Sequence, residues 1–228
     1  MRVSLIIPAA GKSLRMGGGI PKIYRPLKGV PVLLRSLAAF RGFPEIREIV
    51  LAVAPEEVVR LPRRWGSKLL RLGVTRIVPG GERRQDSVEA ALSVTDPRST
   101  HVLIHDAARP LVPHDVIRRV LAAGRRHDAV IPAVPVIDTI KRVDAAGSVL
   151  ETLDRSRLRA VQTPQLFRRR LLLDVFAAAH RLRREGTDEA RLVEAEGHAV
   201  RIVSGDLRNL KLTTPADFLV AAALLLRR

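Results

Sequence analysis

The sequence predicts an α/β fold: a mostly parallel sheet with helices on both faces and a projecting β-hairpin arm. Three observations predict it. Short apolar runs alternate with segments whose apolar residues recur at helical spacing. The runs are nearly continuous rather than alternating in polarity, as in strands buried on both faces. The rhythm breaks once, between residues 136 and 161, where two extended pieces flank a turn sequence. The 228 residues suffice for one compact domain spanning residues 1–228, with two small domains as the alternative.

The elements follow in order. Val3–Pro8 is an apolar run that enters a loop at Ala9-Ala10-Gly11, which marks a buried strand. Pro31–Phe40 opens on proline and has helical spacing. Ile49–Val53 is a second strand, and Ile77-Val78 closes a short third one before Pro79-Gly80-Gly81. Asp86–Val94 reads as a helix, with Asp86 or Ser87 as its cap. His101–His105 is a strand stopped by Asp106, Pro113–Ala123 a helix and Ala129–Val134 a strand. In the arm, Thr139–Val143 and Ser148–Leu153 are joined by Asp144-Ala145-Ala146-Gly147. Helices follow at Arg168–Arg183 and from Thr187, then a strand at Ala199–Val203 and a C-terminal helix from Thr214-Pro215.

Composition narrows the function. Hydrophobic residues make up 46% and aromatics only 3%, so Leu, Val, Ile and Ala must fill the core. The net charge of +17 suggests anionic partners, although the cations are scattered as on a solvated arginine-rich surface. A nucleic-acid-binding protein is the reading from another class, but no aromatic platform, basic helix or zinc finger accompanies the charge. The absence of cysteine excludes disulfides and thiolate metal sites. No apolar run approaches the ~20 residues of a membrane span, and the N-terminus lacks a signal-peptide pattern, so the expected compartment is the cytoplasm.

In an open parallel sheet, ligands bind beyond the carboxyl ends of the strands. Three such ends are unusual. Pro8-Ala9-Ala10-Gly11 continues through Arg15 to Pro21-Lys22, so small residues suited to phosphate are joined by two cations. Gly11-Lys12-Ser13 is not a Walker A motif, because Ile6 stands where a further glycine is required. Gly80-Gly81-Glu82 leads through Asp86 to Ser87 and permits close backbone contact with a base or phosphate. His105-Asp106-Ala107-Ala108-Arg109-Pro110 sets a carboxylate just past a strand, either as a Mg²⁺ ligand or paired with Arg109. His101 and His105 lack a third ligand at zinc-site spacing and read as structural.

These loops occur in a recognisable order. They are followed by Asp138-Thr139, Gln162-Thr163-Pro164-Gln165, Thr187-Asp188-Glu189-Ala190 and Asn209-Leu210-Lys211. The ordered set, over about residues 3 to 226, resembles the methylerythritol phosphate cytidylyltransferase family of nucleotidylyltransferases. The resemblance implies a Rossmann-like fold, Mg²⁺ and a homodimer built through the arm. It implies CTP and a polyol phosphate as substrates, with neither nucleic acid nor membrane as partner. Arg15, Lys22, Arg155 and Lys211 match the family's catalytic cations. Pro8, Ala9, Ala10, Gly11, Gly80, Gly81, Glu82, Ser87 and Ala107 match its CTP contacts. Asp106, Arg109, Thr139, Arg155, Thr163 and Lys211 match its polyol-phosphate site, with Asp106 also the implied metal ligand. The chain departs from the family at Leu14, commonly Arg, and at Glu82, which is Asp in some members. A sister cytidylyltransferase acting on ribitol 5-phosphate is the alternative.

Overall fold

A computed structural model describes residues 1–11 and 20–226. In chain order the first half comprises β1 (Val3–Ala9), β2 (Pro26–Leu27), β3 (Val30–Pro31), α1 (Val32–Ala38), β4 (Ile46–Val53), α2 (Glu57–Arg71), β5 (Val74–Pro79), α3 (Arg84–Ser93), β6 (His101–Ile104) and α4 (His114–Ala123). The second half comprises β7 (Ala129–Pro135), β8 (Lys141–Val143), β9 (Val149–Thr152), β10 (Arg159–Val161), β11 (Gln165–Arg168), α5 (Arg169–Leu182), α6 (Glu189–Ala195), β12 (Arg201–Ser204) and α7 (Pro215–Leu225).

Among the described residues, eight strands form the main sheet. β1 lies between β4 and β6, parallel to both, and β5 continues the parallel order beyond β4. On the other side β11 is wedged antiparallel between β6 and β7. Val130 of β7 faces both Leu166 and Arg201, and Ala133 faces both Val161 and Ser204. A strand residue has two edges, so β12 takes one edge of β7 while β10 and β11 run in line along the other. The sheet is therefore mostly parallel, as expected, with antiparallel pairing confined to β10 and β11.

Alternation along β1 divides the core. Val3, Leu5, Ile7 and Ala9 face one cluster with Leu37 of α1, Leu61 of α2 and Val120 of α4. Ile6 faces the opposite cluster with Leu92 of α3, Phe176 of α5 and Val193 of α6. Helices thus cover both faces, as expected, and each fully buried Leu or Ile contributes roughly 1.5–3 kcal/mol. α7 packs through Ala221 against Leu27, Val32, Leu111 and Leu212.

Several boundaries differ from expectation. α2 falls where no element is expected, since Pro62 lies inside it, and its backbone departs from helical geometry at Trp65 with φ −137°. β5 begins at Val74 rather than at Ile77, and its outer residues are half-buried or exposed. α3 opens at Arg84, so Asp86 is not its cap; its carboxylate instead accepts from the Arg83 backbone N–H at 3.1 Å. The last strand starts at Arg201, two residues later than expected.

The hairpin is present as a separate two-stranded sheet. Its turn is organised by Asp144, whose Oδ1 accepts from the backbone N–H groups of Ala146 at 3.0 Å and Ser148 at 2.8 Å. Gly147 sits at φ +86°, a conformation that strains side-chain-bearing residues. Thr139 precedes the first arm strand rather than lying in it. No described helix is long and apolar enough to cross a membrane.

Candidate active site

The carboxyl ends of β1, β5 and β6 converge on one cleft of about 610 Å³. Parallel strands make this convergence possible, because their following loops all leave from the same end of the sheet. Pro8, Ala9, Ala10 and Gly11 form one wall after β1, and Gly81, Glu82 and Ser87 form another after β5. Asp106, Ala107 and Ala108 make the floor after β6, while Lys22 and Lys211 enter from the sides.

Close approach of the two walls depends on Gly80. A Cβ built there would lie 2.6 Å from the Ala10 Cβ and 2.7 Å from the Ser87 Oγ. Ser87 then fixes the loop, its hydroxyl accepting from the Gly81 N–H at 3.2 Å and donating to the Arg83 carbonyl at 3.1 Å. The floor turn is held by Ser36 of α1, whose hydroxyl donates to the Ala107 carbonyl at 2.7 Å.

Asp106 is the electrostatic centre. Its Oδ1 accepts from Arg84 Nε at 3.2 Å, its Oδ2 from Lys211 Nζ at 2.8 Å, and Arg109 Nε lies 3.6 Å from Oδ2. Burial pushes its carboxyl up, but Arg84, Lys211 and Arg109 together hold it well below the usual carboxylate range. Arg84 also donates through one terminal nitrogen to both oxygens of Glu189, at 2.8 and 2.9 Å. Burial opposes the Arg84 charge and the two carboxylates more than restore it. Three cations thus meet two carboxylates, and the floor keeps one positive charge in excess.

Beneath the floor, fully buried His105 joins the strands. Its Nε2 faces the Arg109 carbonyl at 3.0 Å, and its Nδ1 faces the Thr163 hydroxyl at 3.1 Å. A carbonyl only accepts, so this network assigns the proton to Nε2 and makes Thr163 the donor to Nδ1. The Thr163 oxygen also accepts from the Asp106 backbone N–H at 3.0 Å. Asn209 completes the frame, its amide donating to the Thr163 carbonyl at 2.8 Å while its backbone carbonyl accepts from Arg109 at 2.7 Å.

Burial lowers the His105 imidazole to about 4, with the Arg109 carbonyl and Asp106 opposing it. The unfolded chain therefore binds more protons between about pH 4 and the ordinary histidine value near 6.5. Stability supplied by neutral His105 is complete above that window and declines as pH falls through it. His101, lowered to about 4 chiefly by burial, acts in the same direction. We expect unfolding free energy to drop on the order of 2 kcal/mol from pH 7 to 5 through His105. Urea titrations of wild type and His105→Gln check this; identical pH slopes in the two proteins would contradict it.

The sequence-predicted residues divide into groups. Pro8, Ala9, Ala10, Gly11, Lys22, Gly81, Glu82, Ser87, Asp106, Ala107 and Lys211 line the cleft, with Gly80 at its shoulder. Arg109 and Thr163 are nearly buried and bear on Asp106 from below. Thr139 and Arg155 are exposed on the arm and do not line this cleft; Arg155 donates to the Ile137 carbonyl. Arg15 lies outside the described residues. Sequence reasoning missed Arg84, Glu189 and Asn209 as parts of the site. Asn209 carried a signal as the sole asparagine, whereas Arg84 was one arginine among many.

Comparison with known proteins places these loops in context. Residues 3–227 match the family model IspD, 2-C-methyl-D-erythritol 4-phosphate cytidylyltransferase. A curated protein of that name from Symbiobacterium thermophilum is 49% identical over 223 residues, covering 98% of this chain and 92% of the relative. Another, from Caldanaerobacter subterraneus, is 42% identical over 100% of both chains. The crystal structure of the enzyme of that name from Thermus thermophilus superposes with a TM-score of 0.81 at 35% identity, over 98% of each chain. A 4-diphosphocytidyl-2C-methyl-D-erythritol synthase from Anaerococcus prevotii gives a TM-score of 0.85 at 29% identity, over 99% of each chain.

Proposed function

This chain belongs to the 2-C-methyl-D-erythritol 4-phosphate cytidylyltransferase family, and from that premise we propose how its cleft carries out cytidylyl transfer. The reaction joins CTP to 2-C-methyl-D-erythritol 4-phosphate and releases pyrophosphate. A phosphate oxygen of the polyol attacks the α-phosphorus of CTP. The new P–O bond forms as the bond to the bridging oxygen of the β-phosphate breaks, and that oxygen leaves with pyrophosphate. No protein nucleophile is needed. The task is to align two anions and spread the charge of an in-line transition state.

The observation that carries this reading is the excess positive charge at the cleft floor around Asp106. The small walls from Pro8 to Gly11 and around Gly80-Gly81 suit the cytidine and triphosphate, with Ser87 bracing them and Glu82 at the rim. Lys22 and Arg15 are assigned to the transferring phosphoryl group. Asp106, Lys211 and Arg109 are assigned to the polyol phosphate, with Thr163 holding Asp106 from below.

Mg²⁺ is the implied cofactor. Among the described residues no group of three or more metal-ligating side chains gathers. Asp106 and Glu82 are the carboxylates lining the cleft, which fits an ion carried mainly by phosphate oxygens with Asp106 as its protein ligand. When bound, the ion would neutralise the triphosphate charge.

Thr139 and Arg155 stand on an arm that exposes Ile137, Val143, Val149 and Leu150. We assign that apolar arm to a homodimer in which Thr139 and Arg155 serve the partner's polyol-phosphate site. Arg155→Ala is expected to raise KM for the polyol phosphate about tenfold or more, the size of a lost charge-assisted hydrogen bond. An unchanged KM refutes the arm assignment. Sedimentation at working concentration should give a dimer mass, and a monomer mass would overturn that claim. The cytoplasm is the proposed compartment.

The deciding experiment measures pyrophosphate release with CTP, Mg²⁺ and either 2-C-methyl-D-erythritol 4-phosphate or ribitol 5-phosphate. Release with the first alone is expected. Release with ribitol 5-phosphate alone would reassign the polyol pocket, and silence with both would sink cytidylyl transfer.

A further inference from the structure

Glu189 takes no part in the transfer chemistry, yet it is a carboxylate only 1% exposed. Burial pushes its carboxyl up, and Arg84 opposes that shift. Its position is not left to chance. The adjacent Asp188 caps α6 by accepting from the Arg191 N–H at 3.0 Å, and it accepts from Gln165 of β11 at 2.8 Å. Glu189 is therefore anchored to the sheet through its neighbour. Both its oxygens meet one nitrogen of Arg84, and Arg84 Nε turns to Oδ1 of Asp106. Lys211 occupies the other oxygen, Oδ2.

We propose that Glu189 and Arg84 form a positioning relay that sets the Asp106 carboxylate for the polyol phosphate. The geometry gives the relay a direction. A guanidinium is a rigid planar fork, so fixing one of its nitrogens fixes where the others point. Glu189 fixes one end, and the other end then pins Oδ1 of Asp106. A buried supporting contact of this kind keeps a ligand-binding side chain within the narrow geometry that binding requires. Neither Arg84 nor Glu189 transfers a proton or touches the reacting phosphorus in this scheme. The inference rests on the reading that Asp106 serves the polyol phosphate.

The relay separates the two substrates, which a general brace for the fold would not do. In Glu189→Gln, KM for 2-C-methyl-D-erythritol 4-phosphate is expected to rise about tenfold, as when an outer partner of a binding group is removed. KM for CTP should change by less than about threefold in the same variant. Removing one member of a buried pair also threatens folding. The paired variant Arg84→Met/Glu189→Met removes both charges and keeps apolar bulk, so it isolates the relay in a folded protein. It should reproduce the split between substrates with a larger loss for the polyol phosphate.

A double-mutant cycle with Asp106→Asn supplies the second readout, through calorimetric binding of the polyol phosphate. If the relay works through Asp106, Glu189→Gln costs little further affinity in that background. Equal losses for CTP and the polyol phosphate would overturn the proposal. So would a folded paired variant with wild-type KM, or a Glu189→Gln effect that persists undiminished in the Asp106→Asn background. A wild-type enzyme silent with this substrate pair would take down the functional reading and this inference together. An active wild type whose variants show no split takes down the inference alone.

Discussion

Lys22→Ala is expected to lower kcat by about 10²-fold or more, which corresponds to about 2.7 kcal/mol of lost transition-state stabilisation. The size follows from the chemistry. In the transition state charge spreads over the equatorial oxygens of the transferred group and moves onto the bridging oxygen of the departing pyrophosphate, and a fixed cation in a cleft stabilises it without reorganising at that moment. Folding should change little, because Lys22 belongs to a short turn held by other groups. The Tyr24 N–H donates to the Pro21 carbonyl at 2.8 Å, and Ile23 and Tyr24 fill the core beside Leu33 and Leu37. The check is turnover with saturating CTP and polyol phosphate, alongside a thermal unfolding curve. A near-normal kcat would remove Lys22 from the mechanism.

Phe167→Ala is expected to cost about 3–5 kcal/mol of folding free energy, the usual loss for a truncated core aromatic. Phe167 is fully buried, and its strand lies between two others, with Phe167 facing Val102 on β6 and Ala129 on β7. Its ring packs in the cluster that includes Leu172, Val175 and Phe176. Aromatics are scarce in this chain, so little else offers comparable volume to close the cavity. Domain stabilities of about 5–15 kcal/mol leave small reserve after such a loss. Urea unfolding measures it directly, and a change under about 1 kcal/mol would mean that the site collapses around the missing ring.

Much of this fold is legible in the sequence because single-strand apolar runs and helical spacing are local signals. β1, α4 and β7 are each readable from their own residues. β11 is not. Gln165-Leu166-Phe167-Arg168 is too short to show a period and runs directly into a helix, so its strand state is imposed by β6 and β7 on either side. α2 escapes for the opposite reason, since Pro62 and Gly66 argue locally against a helix that Leu61 and Leu69 nonetheless dock onto the core.

The candidate site divides the same way. Glycines and small residues after strand ends announce a ligand loop by composition alone, and Asp106 is visible just past its strand. The role of Thr163 beneath Asp106 is not readable, because it depends on a hydroxyl shared between His105 and a backbone N–H. Arg84 does not stand out either. Arg83 and Arg84 are neighbours of the same type, yet Arg83 pairs with Asp86 and Glu185 at the surface while Arg84 turns inward to Asp106 and Glu189. Which of two adjacent arginines points inward is decided by the start of α3, not by residue type.

The pairing of β1 with β6, where Val3 faces His101, also bears on how the enzyme comes into being. Contacts between segments so distant along the chain require large loops to close before they stabilise anything, which slows folding. The cleft is more demanding still, because the charge partners of Asp106 arrive with Arg84, Arg109 and Lys211. A chain emerging from the ribosome presents Asp106 long before Lys211 exists. A chain that ends before Lys211 therefore carries Arg84 and Arg109 but lacks the cation that meets Oδ2 of Asp106, so the electrostatic floor is complete only once the C-terminal segment has docked.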